Sequence, residues 1–99
     1  MNVSTKEENG TLFIELEGRL DTVTSQELAS KLPLEKRTNL NIDFNFENLQ
    51  YISSAGLRLL ILFKKEAQAT NNTMVIRNIN EVVREIFSVT GFDKILKII

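Results

Sequence analysis

Apolar and polar residues alternate with a period of two in two segments of this 99-residue chain. The first segment contains Leu12, Ile14 and Leu16, and it follows Asn9-Gly10, the dipeptide that most favours a type I′ hairpin turn. An exposed strand before this turn and a half-buried strand after it are therefore predicted to pair in an antiparallel hairpin. The second segment is the clearest strand, with apolar residues expected on the core side at Leu40, Ile42, Phe44 and Phe46 and polar residues on the other side at Asn41, Asp43 and Asn45.

A helical spacing of apolar residues follows each of these segments. The first predicted helix is capped by Asp21 or by Thr24, which has capping-box spacing to Glu27, and it ends at Pro33. Residues 33–38 carry several charges and are predicted to form a solvated loop, whereas residues 47–52 form the polar end of the central strand and a short loop.

The longest predicted helix runs from about Ser54 to Ala69. Its core face is predicted to hold Gly56, Leu59, Leu60, Phe63 and Ala67. Leu57 and Ile61 fall off that face. They are expected either to be shielded by a neighbouring loop or to be offered to a partner.

The remaining pattern predicts a short strand over residues 73–77, a helix capped by Asn78 or Asn80, and a last strand over residues 94–99. Gly91 stands where a left-handed residue ends a helix. The resulting order is β-β-α-β-α-β-α-β, which predicts a single α/β domain over residues 1–99. Its sheet is mixed, with the helices packed mainly on one face.

The amino-acid composition excludes several classes of function. The chain has no histidine and no cysteine, which excludes Ser-His-Asp catalysis and thiol chemistry, while carboxylate sites for a divalent ion remain possible. The net charge of −1 gives no basic stripe for nucleic acid, and no apolar run approaches the roughly 20 residues that cross a bilayer. We therefore expect a binding or switching module and not an enzyme, with no cofactor, no metal, no nucleic-acid partner and no direct membrane insertion.

Four small residues, Ser53-Ser54-Ala55-Gly56, open the central helix. The first N–H groups of a helix have no partner within it, and the positive end of the helix dipole lies at the same place. This position suits an anionic group such as a phosphate. A serine here could cap the helix or accept a phosphoryl group, and the local pattern leaves open whether Ser53 or Ser54 is the cap.

The order of elements and two motifs resemble the STAS domain of anti-sigma factor antagonists. The motifs are Gly-Arg-Leu-Asp at residues 18–21 and Tyr-Ile-Ser-Ser-Ala-Gly-Leu-Arg at residues 51–58. The family's typical motif reads Asp-Ser-Ser/Thr-Gly-Leu, and its first serine is phosphorylated by a partner that is both anti-sigma factor and kinase. The resemblance implies that Ser54 is the acceptor, with Ser53 as the second candidate, and that Gly56 and Leu57 match the motif's Gly and Leu.

The same resemblance implies that Asp21 lies near the acceptor, and that the partner-binding surface includes Asp21, Ser53, Ser54, Gly56, Leu57, Arg58 and Ile61. Ser53 stands in place of the family's Asp and Ala55 in place of its second hydroxyl residue. Both departures bear on phosphorylation more than on binding, because the missing carboxylate could orient the kinase or its metal.

The function implied is that of a cytoplasmic partner-switching protein that regulates sigma-dependent transcription. Its partners would be an anti-sigma factor with serine kinase activity and a serine phosphatase. The alternative is a STAS subunit of a lipid- or solute-transport assembly, acting as a docking module without phosphorylation.

Overall fold

A hairpin opens the chain in the computed structural model, which describes residues 1–99. Strand β1 (Asn2–Glu8) pairs antiparallel with strand β2 (Thr11–Leu20). The turn residues Asn9 and Gly10 have φ angles of 51° and 79°, as a type I′ turn requires at both central positions. The predicted hairpin is confirmed.

Three further strands extend the sheet on the β2 side: β3 (Asn41–Ile52), β4 (Met74–Arg77) and β5 (Lys97–Ile98). The spatial order is β1-β2-β3-β4-β5, and every pair after the hairpin is parallel. The structure confirms the predicted mixed sheet. The last strand is shorter than the predicted 94–99, because Lys94 ends a turn of 3₁₀-helix and residues 95–96 form a turn before the chain extends.

The three main helices are the crossovers between the parallel strands. They are α1 (Thr22–Lys31), α3 (Ser54–Ala69) and α4 (Glu81–Thr90), and a one-turn helix α2 (Leu34–Arg37) lies between α1 and β3. They pack on one face of the sheet, with α1 against β2 and α3 against β3 and β4. None of the helices has both the length and the apolar character needed to cross a membrane.

The core lies between this sheet face and the helices. Ile42, Phe44 and Phe46 of β3 are buried as predicted, and Leu40 is half-buried. Phe44 also packs against Phe63 of α3, with the two ring centroids 6.1 Å apart. Aromatic contact of this kind adds to the free energy gained by burying the rings and anchors the central helix on the central strand.

Asp43 lies on the opposite face of β3, as predicted, yet it is buried. Its two carboxylate oxygens accept hydrogen bonds from Nε and Nη2 of Arg77 at 2.8 and 2.6 Å. Arg77 comes from β4, and this bidentate pair raises the pKa of its guanidinium. The pair joins two adjacent strands on the face that the helices leave open.

Residues 47–52, predicted as the polar end of the strand followed by a short loop, contain no loop. The strand continues to Ile52, with Leu49 and Ile52 buried after Phe46 at intervals of three residues. Two irregularities in the pairing with β2 explain this spacing, because each adds a residue to β3 that has no counterpart on β2. A prediction based on apolar residues at every second position therefore does not identify residues 47–52 as a strand.

The connection over residues 33–38, predicted as a solvated loop, contains the helical turn α2; Glu35 and Lys36 are exposed as predicted, but Arg37 is not. Arg37 is buried, and it donates hydrogen bonds to the Leu32 carbonyl oxygen and to Glu66 Oε1 at 2.7 and 2.9 Å. Its guanidinium also lies 3.8 Å from the centroid of the Phe63 ring. These contacts hold α2, just before β3, against the second half of α3.

The predicted bounds of α3 agree with the structure, but its buried arc is wider than predicted. Leu57 is 3% exposed and belongs to the core, and Leu59 is only half-buried. At 100° per residue Leu57 shares a side of the helix with Lys64, whose ammonium donates to the Ile95 carbonyl oxygen. The C-terminal segment therefore contacts this side of α3 at Lys64, and the side that carries Leu57 is part of the core.

Candidate functional site

Three helices begin at the same edge of the sheet, where the parallel strands β2, β3 and β4 end. Each has a polar N-cap whose side chain accepts a backbone N–H: Asp21 for α1, Ser53 for α3 and Asn80 for α4. Carboxyl ends of parallel strands are the usual place for binding sites in α/β folds. The positive ends of three helix dipoles therefore lie together at one edge, with α3 in the centre.

The start of α3 distinguishes its two serines. Ser53 is the N-cap, because its Oγ accepts the N–H of Gly56 at 3.4 Å and its carbonyl oxygen accepts the N–H of Leu57 at 2.9 Å. Ser54 is the first helical residue, is exposed, and forms no side-chain hydrogen bond. The structure thus engages the Ser53 hydroxyl and leaves that of Ser54 free at the helix start.

Gly56 lets α3 approach the end of β2. A Cβ at this position would stand 2.8 Å from Ile52 Cγ1 and 2.9 Å from both Cγ and the carbonyl oxygen of Leu20. That same Leu20 oxygen accepts the N–H of Ser53 at 2.8 Å. The backbone before Asp21 and the start of α3 are therefore in direct contact, and this contact brings Asp21 beside Ser53.

Asp21 is held by a reciprocal capping box with Thr24. Asp21 Oδ1 accepts the Thr24 N–H at 3.0 Å, and Thr24 Oγ1 accepts the Asp21 N–H at 2.8 Å while its hydroxyl lies 2.6 Å from the Arg19 carbonyl oxygen. The predicted pairing of Thr24 with Glu27 is wrong, since Thr24 is the partner of the cap and not the cap. The hydrogen bonds from the backbone and side chain of Thr24 lower the pKa of Asp21, so its carboxylate is ionised at neutral pH.

Arg19 and Tyr51 form a second feature of this edge that the sequence did not reveal. They are opposed in the pairing of β2 with β3, and the Arg19 guanidinium lies 4.3 Å from the centroid of the Tyr51 ring. The irregular pairing of β3 sets this opposition, so sequence spacing gives no signal for it. The stacked guanidinium adds a positive charge to the edge that carries Asp21 and Ser53.

The outward face of α3 continues from Ser54. At 100° per residue Ser54, Arg58, Ile61 and Lys65 share one face, each three or four residues from the next. Arg58 and Lys65 are exposed and form no ion pair, while Ile61 is half-buried against the edge of the core. Of the predicted site residues, Ser54, Arg58 and Ile61 lie together on this face.

The remaining predicted site residues have other positions. Asp21 and Ser53 meet at the contact between β2 and α3, whereas Gly56 and Leu57 are buried beneath that contact. Leu57 is therefore a core residue beneath the predicted partner-binding surface and is not itself accessible to a partner. The surface as a whole places a free hydroxyl at a helix start near two cations, Arg19 and Arg58, and these features can stabilise an added anion on Ser54, whereas the ionised Asp21 would oppose it.

Comparison with known proteins gives one family. The family model for the STAS domain matches residues 2–99. The Bordetella bronchiseptica protein BtrV, named as a candidate anti-sigma factor antagonist, is 28% identical over 85 residues, covering 85% of this chain and 73% of its own. The anti-sigma-B factor antagonist of Staphylococcus aureus is 24% identical over 99 residues, covering 99% of this chain and 92% of its own.

Solved structures share the fold at lower identity. The anti-sigma factor antagonist SpoIIAA in its unphosphorylated form has a TM-score of 0.75 at 20% identity, covering 99% of this chain and 87% of that one. Bacillus SpoIIAA in its phosphorylated form has a TM-score of 0.73 at 21% identity, covering 99% and 91%. A sulfate transporter family protein from Wolinella succinogenes also has a TM-score of 0.73, at 13% identity, covering 87% and 73%.

Proposed function

This chain belongs to the STAS domain family, and we propose that within it the protein is an anti-sigma factor antagonist whose binding is switched by phosphorylation of Ser54. In its unmodified form it binds an anti-sigma factor and so releases the sigma factor for transcription. The anti-sigma factor also acts as the serine kinase, and a serine phosphatase restores the unmodified form. The protein acts by binding and not by catalysis, in the cytoplasm where transcription takes place.

The sequence relatives favour this function. BtrV and the Staphylococcus aureus protein, whose names refer to anti-sigma factors, match most of the chain at 28% and 24% identity. Fold likeness alone does not decide, because a sulfate transporter family protein has the same fold. A docking module of a transport assembly therefore remains the alternative function, and it would need no modification of Ser54.

The observation that supports the proposal most strongly is that the hydroxyl groups of Ser53 and Ser54 have different hydrogen bonding and exposure. Ser53 is occupied as the N-cap, while the Ser54 hydroxyl is exposed and makes no hydrogen bond. A kinase can therefore reach Ser54 without removing the cap. Modification of Ser53 would replace the hydroxyl that accepts the Gly56 N–H.

A phosphate on Ser54 suits the local electrostatics. It adds roughly −1.5 to −2 charges at pH 7, next to the unpaired N–H groups at the positive end of α3. Arg58 lies one turn further along the same face, at the spacing that favours pairing of opposite charges on a helix. The fold should therefore tolerate the modification with little change in stability.

The partner would meet a different surface. Burying a dianion against an apolar or acidic surface costs several kcal/mol unless cations pair with it. About 2.7 kcal/mol lowers an affinity a hundredfold. Phosphorylation would thus release the partner without unfolding the antagonist, which is what a reversible switch requires.

Phosphoryl transfer tests the proposal. The purified protein is incubated with ATP and the anti-sigma factor kinase of the same organism, and peptide mass spectrometry then identifies the modified residue. Ser54→Ala and Ser53→Ala serve as matched variants. We expect the phosphate on Ser54, full loss of labelling in Ser54→Ala, and labelling retained in Ser53→Ala. Label on Ser53, or none with a kinase that is active on its own antagonist, would contradict the proposal.

A further inference from the structure

We propose that the anti-sigma partner inserts an apolar segment with an acidic residue into the groove between α1 and α3, so that this groove extends the surface around Ser54. The groove has a volume of about 410 Å³ and is open to solvent along its length. The inference rests on the proposed function and adds the chemistry of the partner's contact segment, which the family resemblance did not supply.

The floor and walls of the groove are mainly apolar or small. Ala29 of α1 faces Ala55, Leu59 and Leu62 of α3, and Leu62 is 49% exposed although it lies in the middle of a helix. These three residues of α3 follow one another at intervals of four and three, so they form a continuous stripe along the helix. An apolar stripe between two helices is the kind of surface into which an amphipathic segment packs.

A polar group on the groove lining also lacks a partner within the chain. Ser25 of α1 is only 6% exposed, and its hydroxyl forms no hydrogen bond. A buried hydroxyl without a partner is unfavourable. Its oxygen is closed to solvent in the free protein, so the Ser25 side chain would have to rotate into the groove to meet a polar atom of a docked segment.

The charge of the groove lining indicates which kind of partner segment would bind there. Arg58 is the only charged residue that lines the groove, and it forms no ion pair. The α1 wall contributes the uncharged side chains of Thr22, Ser25 and Gln26. A segment with an acidic residue near Arg58 and apolar residues against Leu59 and Leu62 would complement this lining, and a basic segment would be repelled.

The groove is continuous with the proposed switch. Ala55 directly follows Ser54, and Arg58 lies on both the outward face of α3 and the groove. A phosphate on Ser54 could pair with Arg58 at the i, i+4 spacing. It would then compete with the acidic residue of the partner for the same guanidinium and repel that residue directly, which connects modification of Ser54 to release of the partner.

Calorimetric titration with the purified anti-sigma factor of the same organism tests the groove. Leu62→Ser removes the most exposed apolar side chain of the stripe, and Arg58→Glu reverses the charge. Val89→Ser is the matched control, since Val89 is 79% exposed on α4 and lies away from the groove. Thermal melts of all three variants check that each is folded.

We expect Leu62→Ser and Arg58→Glu each to weaken binding at least tenfold, and Val89→Ser to bind within twofold of the unmodified protein. A folded Leu62→Ser variant that binds as the control does would overturn the groove as a docking site. Weakening by Leu62→Ser with no effect of Arg58→Glu would overturn the acidic character of the segment. If the unmodified protein itself fails to bind the anti-sigma factor, the proposed function fails first and the groove inference falls with it.

Discussion

Gly56 and Leu20 are so close that a Cβ on Gly56 would stand 2.9 Å from the Leu20 carbonyl oxygen. This backbone atom cannot move aside without shifting β2, so Gly56→Ala should displace the start of α3. Alanine stabilises a helix by about 1 kcal/mol relative to glycine, whereas overpacking typically costs about 1–3 kcal/mol. Because the Leu20 carbonyl oxygen belongs to the backbone and cannot easily move, we expect the cost of overpacking to exceed the gain in helix propensity.

We therefore expect Gly56→Ala to lower the melting temperature by several degrees and to weaken partner binding, because Asp21 and Ser53 meet at this contact. Ser54→Ala, two residues earlier and exposed, is the control and should melt within about one degree of the unmodified protein. A Gly56→Ala variant that is more stable than the original would show that helix propensity outweighs the close approach.

The two faces of β3 give a second prediction. Phe44→Ala should reduce the free energy of unfolding by about 3–5 kcal/mol, because the ring is fully buried against Phe63. Asp43→Asn should also be destabilising, but by less, because it breaks the bidentate pair with Arg77, whose side chain is 42% exposed. Urea denaturation of both variants measures the order, and equal losses would contradict the assignment of the faces.

Arg37 gives a third prediction. Removing one member of a buried ion pair costs about 3–5 kcal/mol, because the other charge is left without a partner. Arg37→Ala should lose somewhat less than this, since Glu66 is partly exposed and can be solvated. Arg37→Lys should restore only part of the stability, because an ammonium cannot stack on Phe63 and bond to Leu32 and Glu66 at once. Equal stability of Arg37→Lys and the unmodified protein in denaturant titrations would argue against the stacking contact.

Asp21 gives a prediction about pH. Its pKa in the folded protein is lowered from its ordinary value of 3.8, so its charge stabilises the fold above that value. As pH falls through the lowered pKa, the carboxylate is protonated and this contribution is lost. Asp21→Ala should therefore melt below the unmodified protein at pH 7, and the difference should shrink in melts below about pH 4. A difference that stays constant down to pH 2 would show that the cap does not depend on the charge.

The sequence predicted the regular parts of the fold because each follows a local rule. The Asn9-Gly10 turn, the alternation in β3 up to Phe46 and the bounds of α3 depend on residues within one element. The end of β3 was missed because its irregular pairing is imposed by β2, and the α2 turn was missed because its charges looked solvated. Arg37 contacts Leu32, Phe63 and Glu66, two of which are distant in sequence, and local composition cannot show such contacts.

The candidate site divides in the same way. Ser53, Ser54 and Gly56 could be recognised from the run of small residues at a helix start, and the structure separates the cap from the free serine. Leu57 was placed off the core because the buried arc of α3 is wider than the single apolar stripe that the sequence pattern shows. The contact of Arg19 with Tyr51 is formed between β2 and β3, and the groove beside Leu62 is formed between α1 and α3. Both depend on how these elements pack, so the sequence alone does not predict them.

Calorimetric titration of the purified anti-sigma factor with unmodified protein, Ser54 phosphoprotein and Ser54→Ala tests whether a phosphate on Ser54 releases the partner. Thermal melts of the three forms run alongside. We expect tight binding by the unmodified protein and by Ser54→Ala, binding at least a hundredfold weaker by the phosphoprotein, and nearly equal melting temperatures. Phosphoprotein that binds as tightly as the unmodified form would contradict the switch and leave Ser54 as an ordinary residue of the first helical turn.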